Sequence, residues 1–292
     1  MTLPPSADSP RFIPIVSDYG FKVTFGNESN TLFLRKALQA LIKSAIPITN
    51  IVFDKNTVDG YTTDSRSGIY DMACTDEEGN HFIIEMQLSN YPHFLQRMKF
   101  YALYKFNTLV KKGAYSFENL PPIYCIGILQ KSIFQYLADY HNLSTLRNEQ
   151  GEQTDNQLSF ITVELDKFRK KPATITTDLD KLIYTMKTLH KVKNKRQFPA
   201  FWDEEWLKTA IQEVDKSAMS AEKRLAYEML IAQNAAAVHT EQKKIAEARE
   251  QVKTDTVLKL LVRGRATIAE IAEDCQVTPD FVLNIQQRLL HS

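Results

Sequence analysis

Asp71, Glu85 and Gln87 are the residues whose types and spacing first suggest chemistry. They lie in DMACTDEEGNHFIIEMQL, residues 71–88, where two strand-like runs flank the segment DEEGN. Side chains alternate between the faces of a strand, so Phe82, Ile84, Met86 and Leu88 share one face while Ile83, Glu85 and Gln87 share the other. DEEGN suits a three-residue hairpin loop, with Glu77 and Glu78 right-handed and Gly79 left-handed, which pairs Asp76 with Asn80. Five positions further along each strand Asp71 then faces Glu85, with β-carbons about 4.5–5.5 Å apart. Facing carboxylates repel unless a cation lies between them, and such oxygen ligands suit a hard divalent ion, Mg²⁺ or Mn²⁺. A loop one residue longer or shorter would turn Asp71 to the other face, so the reading depends on register. An exposed hairpin face with scattered polar residues is the alternative that stays open.

Those two strands need a frame. The runs ITNIVFDKN, PPIYCIGILQK and LSFITVELD are β-branched or aromatic and bounded by turn residues, so they add further strands. FLQRMKFYALYKFNTLVKKG follows the hairpin with helical periodicity and closes at Gly113 after Lys111 and Lys112, which makes a strand–helix–strand unit. On that helix Arg97 and Tyr101 share a face at i and i+4, while Phe94, Met98, Leu103 and Phe106 are expected to build the core. An earlier helix is expected over 28–45, from Leu32, Leu34, Leu38, Leu41 and Ile42.

The rear of the chain changes character near residue 178, where Ala, Glu, Lys and Leu come to dominate. A core over 1–175 is expected, then a helical extension and connector over 176–262, solvated between 234 and 256, then a module over 263–292. In that last piece a helix over 267–274, a short turn, Thr278 as N-cap and Pro279 at the first helical position resemble a helix-turn-helix. Its second helix carries one arginine, Arg288, and Gln276 stands where glycine is common, so DNA reading and protein interaction both stay open.

Composition removes several classes. With 292 residues, 36 basic and 35 acidic side chains and a net charge of +1, no global field gathers a polyanion, so contacts to nucleic acid must come from local patches. KFRKK at 167–171 and KTLHKVKNKR at 187–196, with Lys111 and Lys112, are the candidates for a phosphate track. Cys74, Cys125 and Cys275 form neither a disulfide framework nor a zinc spacing, and six scattered histidines give no ligand pattern. No phosphate-binding glycine loop or nucleophile elbow appears, and no basic leader or apolar span, so a cytoplasmic protein is expected.

Four stretches then carry a resemblance: DYGFKVTFG at 18–26, YDMACTDEEGNHFIIEMQ at 70–87, the helix from Phe94, and LPPIYCIGIL at 120–129. In this order they resemble the Rpn-type recombination-promoting nucleases, also described as PD-(D/E)XK nuclease family transposases. The resemblance implies a restriction-endonuclease-like α/β fold, a mixed sheet flanked by helices, with a helical C-terminal region. It implies a metal-dependent endonuclease with DNA as partner, no membrane contact, and room for a homodimer. Asp71 and Glu85 match the positions that hold the metal, and Gln87 stands where the usual motif has lysine. Glutamine can orient a water but brings no positive charge. Lys22 in DYGFK is a candidate for the missing charge, and Asp18 for a site residue or a turn former before Gly20. Arg97 and Tyr101 match a helix position that braces the site or contacts phosphate; an Arg stem lying beside a buried Tyr is the plainer alternative.

Overall fold

The turn at DEEGN sets the register on which the rest of the sheet depends. The computed structural model describes residues 10–55, 57–58, 68–88, 93–110 and 120–290. Gly79 adopts φ 84°, which a side chain would resist, and the Asp76 N–H donates to the Asn80 carbonyl at 3.1 Å. The Asp76 carboxylate accepts from the N–H groups of Glu78 and Asn80, pinning the loop from inside.

In chain order the elements are α1 (Asp18–Phe25), α2 (Leu32–Ile42), β1 (Ile51–Phe53), β2 (Thr57–Val58), β3 (Gly68–Ile69), β4 (Met72–Asp76), β5 (His81–Gln87) and α3 (Phe94–Leu109). They continue with β6 (Ile123–Leu129), β7 (His141–Thr145), β8 (Leu158–Glu164), α4 (Asp178–Thr188), α5 (Glu205–Glu213), α6 (Ala221–Arg263), α7 (Ile268–Asp274) and α8 (Pro279–Leu290). Six strands form one mixed sheet in the order β1-β4-β5-β6-β8-β7, and β2 pairs with β3 separately. β4 and β5 are antiparallel, with Met72 opposite Ile84 and Thr75 opposite His81, as the loop reading requires. β5, β6 and β8 run parallel, so α3 is the crossover that the strand–helix–strand pattern implies.

Alternation along β4 and β5 gives the sheet two buried faces. Ala73 and Ile83 pack under Phe94, Met98, Tyr101 and Ala102 of α3. Met72, Cys74, Phe82 and Ile84 are buried on the opposite face. α2 packs against α4 and α5, and its Phe33 lies between Phe25 and Trp206 at ring distances of 5.0 and 5.9 Å. Buried aromatic and aliphatic surface of this kind dominates folding.

Several expectations change. Asp18, weighed as a turn former before Gly20, lies in the first turn of a helix: Ser17 caps DYGFKVTF by accepting from the Gly20 N–H at 3.1 Å, and the helix dipole favours an acid at Asp18. β7 carries the polar sequence HNLST and lies at the sheet edge, so no apolar alternation marks it. Leu103 is 64% exposed, on the outer side of α3, and is not a core residue. Gly113, Lys111 and Lys112 lie outside the described residues.

Part of the basic stretches serves the fold, while Lys171, Lys191, Lys193 and Arg196 are exposed. Lys167 donates to the carbonyls of Phe134 and Leu137 and pairs with Glu164, Lys170 pairs with Asp180 at 2.7 Å, and Lys187 donates to the carbonyls of Leu165 and Phe168. Lys167 and Lys187 thus tie loops together, whereas Lys170 keeps exposed surface beside its ion pair.

Two units result, Met1–Ala221 and Glu222–Ser292, so the first extends well beyond residue 175 because α4 and α5 pack on α2. Within the second, α6 is solvent-exposed at every residue from 231 to 253, the connector expected from its composition. Val257 of α6 joins Ile271, Ala272, Val282 and Ile285 in a small core, so the terminal module begins on α6 rather than at 263. Thr267 and Glu270 form a reciprocal cap at the start of α7, and Thr278 accepts from the Phe281 N–H at the start of α8. No helix among the described residues is long and apolar enough to cross a membrane.

Candidate active site

Extending the β4–β5 ladder one step beyond Met72 and Ile84 brings Asp71 opposite Glu85. The Asp71 Oδ2 accepts the Met86 N–H at 2.6 Å, which ties its side chain to β5. Glu85 is only 3% exposed; its Oε2 accepts from Arg97 Nη2 at 2.9 Å, while its Oε1 is buried with no hydrogen-bond partner. The same Arg97 nitrogen donates to Gln87 Oε1 at 3.2 Å, and its guanidinium lies 5.6 Å from the Phe94 ring centre.

A glycine allows this approach. Gly127 on β6 stands beside Glu85, and a Cβ there would fall 2.6 Å from the Phe94 ring, so any side chain would push α3 outward and carry Arg97 with it. Sequence reasoning passed over both Gly127 and the seat that Phe94 takes on it. The available signal was an isolated glycine inside the apolar run IYCIGIL. His93, with φ 68° at the N-cap of α3, turns the chain just before Phe94.

Electrostatics follow from crowding. Burial, with the Asp71 carboxylate added, pushes the Glu85 carboxyl up to about 8, although Arg97 and the Asp71 N–H pull the other way. Asp71 keeps exposed surface, yet the protein mass around it raises its pKa against the Met86 N–H and Arg97, and Asp18 adds to the rise. The N-terminal end of α1 therefore lies within electrostatic reach of Asp71. Lys22, further along α1, is exposed, and Arg97 is the cation that acts on both carboxylates.

Tyr101 is 5% exposed and packs edge-to-face on Tyr70, ring centres 5.2 Å apart. Tyr70 immediately precedes Asp71, so the contact stiffens the strand end that carries the carboxylate. Of the residues singled out in the sequence, Asp71, Glu85, Gln87 and Arg97 meet in one place, Asp18 stands nearby, and Tyr101 lies in the core beneath.

A family model described as PD-(D/E)XK nuclease family transposase matches residues 15–248. The chain belongs to this family. No curated protein and no solved structure matches it. The family is restriction-endonuclease-like in fold, and this PD-(D/E)XK chain carries the corresponding mixed six-stranded sheet with flanking helices and a helical C-terminal region.

Nucleases of the PD-(D/E)XK type generally use divalent metal ions, and the donor set here fits one. The buried Glu85 Oε1 has no hydrogen bond and is open to a ligand, and Asp71 is the second hard oxygen donor across the ladder. Among the described residues no group of three or more His, Cys, Asp or Glu side chains gathers. The protein would thus supply two carboxylates and leave other positions to water and phosphate oxygens, the arrangement Mg²⁺ favours.

Proposed function

We propose that this chain is a metal-dependent DNA endonuclease that hydrolyses phosphodiester bonds, with Asp71 and Glu85 holding Mg²⁺ or Mn²⁺. The observation that carries the reading is the Glu85 carboxylate facing Asp71: buried, raised in pKa, and with one oxygen left without a hydrogen bond. Such a group costs stability in the absence of a cation, and a site of this cost is expected where chemistry requires it.

A bound divalent ion would polarise a phosphate oxygen and lower the pKa of a water. Asp71 stays oriented through the Met86 N–H, and Glu85 through Arg97, so both arrive with little freedom left to lose. The Gln87 side chain orients the attacking water. Lys22, exposed on α1, and Asp18 at its first turn form the rim, where Lys22 contacts the DNA backbone and supplies positive charge at the edge. Tyr101 braces Asp71 through Tyr70. A role in DNA recombination, a cytoplasmic location and a homodimer belong to the same proposal.

A second reading has one specific observation behind it. Gln87 is neutral where the motif usually has lysine, which suits a DNA-binding or assembly protein that keeps the fold without cleaving. Incubating the purified chain with supercoiled plasmid, with and without Mg²⁺, beside Asp71→Ala, separates the two. Mg²⁺-dependent nicking lost in the variant supports the nuclease; equal inactivity of both chains with retained DNA binding supports the second reading.

A further inference from the structure

We infer that Arg97, delivered from α3, replaces the charge of the missing motif lysine, and that Gln87 is the positioning residue that accepts from it. This rests on the nuclease reading above. One nitrogen has two partners: Arg97 Nη2 lies 2.9 Å from Glu85 Oε2 and 3.2 Å from Gln87 Oε1. The guanidinium therefore sits between the third motif position and the metal-holding carboxylate.

Three features make the placement specific. The planar guanidinium has donors enough to serve both side chains, which an ammonium on the same stem could not reproduce with equal geometry. Phe94 supports it from α3 itself, and Gly127 lets that ring approach the sheet beside Glu85. Arg97 also engages Oε2 of Glu85 and leaves Oε1, the oxygen without a hydrogen bond, as the one able to meet an ion.

Position 87 and position 97 must then behave as one unit holding one positive charge. A lysine at 87 would place an ammonium against the guanidinium, since the two side chains are already in contact. Restoring the usual motif should therefore harm this chain, and removing Arg97 at the same time should undo the harm. Glutamine at 87 is the residue that fits a cation arriving from the helix.

The test compares the native chain with Arg97→Ala, Gln87→Lys and the double variant. Two measurements apply: single-turnover plasmid nicking in Mg²⁺, and calorimetric Mn²⁺ binding without DNA. Arg97→Ala should nick about 10–100-fold more slowly, the range for loss of a group that supports a metal ligand. Arg97→Met, which keeps an apolar stem over Phe94, should repeat that loss if the alanine variant proves unstable. Gln87→Lys should bind Mn²⁺ about tenfold more weakly than the native chain, and the double variant should recover both binding and most of the nicking. Gln87→Lys that nicks faster than native, or equal Mn²⁺ affinity in Gln87→Lys and the double variant, would overturn the inference. If the native chain binds Mn²⁺ without nicking, the nuclease reading fails by itself, and the Mn²⁺ series still decides whether 87 and 97 act together. A native chain that binds no Mn²⁺ overturns both.

Discussion

The face of the β4–β5 hairpin that α3 covers carries charge at both ends, and the two ends handle it in opposite ways. At one end Glu85 and Asp71 oppose each other, Arg97 is the cation bonded to Glu85 among the described residues, and burial pushes Glu85 up to about 8. At the other, Asp54 accepts from Lys105 at 2.8 Å and from Thr75 at 2.9 Å, with His81 Nδ1 at 3.4 Å. Burial would raise Asp54 too, but His81, Lys105 and Thr75 outweigh it and hold the carboxyl below the usual range. Between them lie Ala73, Ile83, Met98, Tyr101 and Ala102, an apolar floor common to both. One hairpin and one helix thus build a satisfied ion cluster and an unsatisfied one. The satisfied cluster anchors the structure, and the unsatisfied one is where a cation would relieve the larger cost.

Breaking each end should have separable consequences. The largest effect is expected from Asp71→Ala, with plasmid nicking reduced by more than the roughly 100-fold upper range for an outer support group. Its urea midpoint should stay near native, because Asp71 keeps exposed surface. Asp54→Ala should do the reverse. Leaving the largely buried Lys105 without its acceptor should lower unfolding free energy by about 2–3 kcal/mol, while metal-dependent nicking continues.

Next in size is a contrast in pH dependence, measured by thermal melts in chelator. Glu85 has a folded-state pKa near 8 against an ordinary 4.5, so its contribution is fully present below pH 4.5 and is lost as pH rises towards 8. Asp54 has the opposite sign: its contribution is present above the ordinary 3.8 and is lost as pH falls below it. Glu85→Gln should flatten the decline between pH 4.5 and 8 and melt higher than native at pH 8; an unchanged slope would mean that Glu85 is not the group responsible. The smallest effect should come from Thr75→Val, which removes hydrogen bonds to Asp54 and His81 and should cost about 1 kcal/mol in urea without altering cleavage. A larger loss of cleavage than of stability in Thr75→Val would show that the two ends are coupled through the apolar floor.

The second unit offers no such contrast. α6 stands exposed along 231–253 and the module beyond it closes on its own small apolar core, so its caps and turn are readable from Thr267, Glu270, Thr278 and Pro279 alone. These are local interactions between residues three or four apart, the kind a single sequence reports well.

The same distinction applies to the site. The sequence by itself determined the register that sets Asp71 against Glu85, because a three-residue loop with Gly79 at positive φ admits one pairing of the flanking strands. It also determined the crossover helix and the parallel strand after it. What only the tertiary structure decided is which cation reaches the carboxylates. Lys22, Arg97 and the basic stretches are all plausible along the chain, and nothing local ranks them. The ranking comes from packing: Phe94 seats on Gly127, a residue 33 positions away, and this brings Arg97 onto Glu85 and Gln87. Meanwhile Lys167 and Lys187 turn to backbone carbonyls that the fold brings to them. Long side chains choose partners by proximity in space, and that proximity is set by contacts between elements remote in sequence.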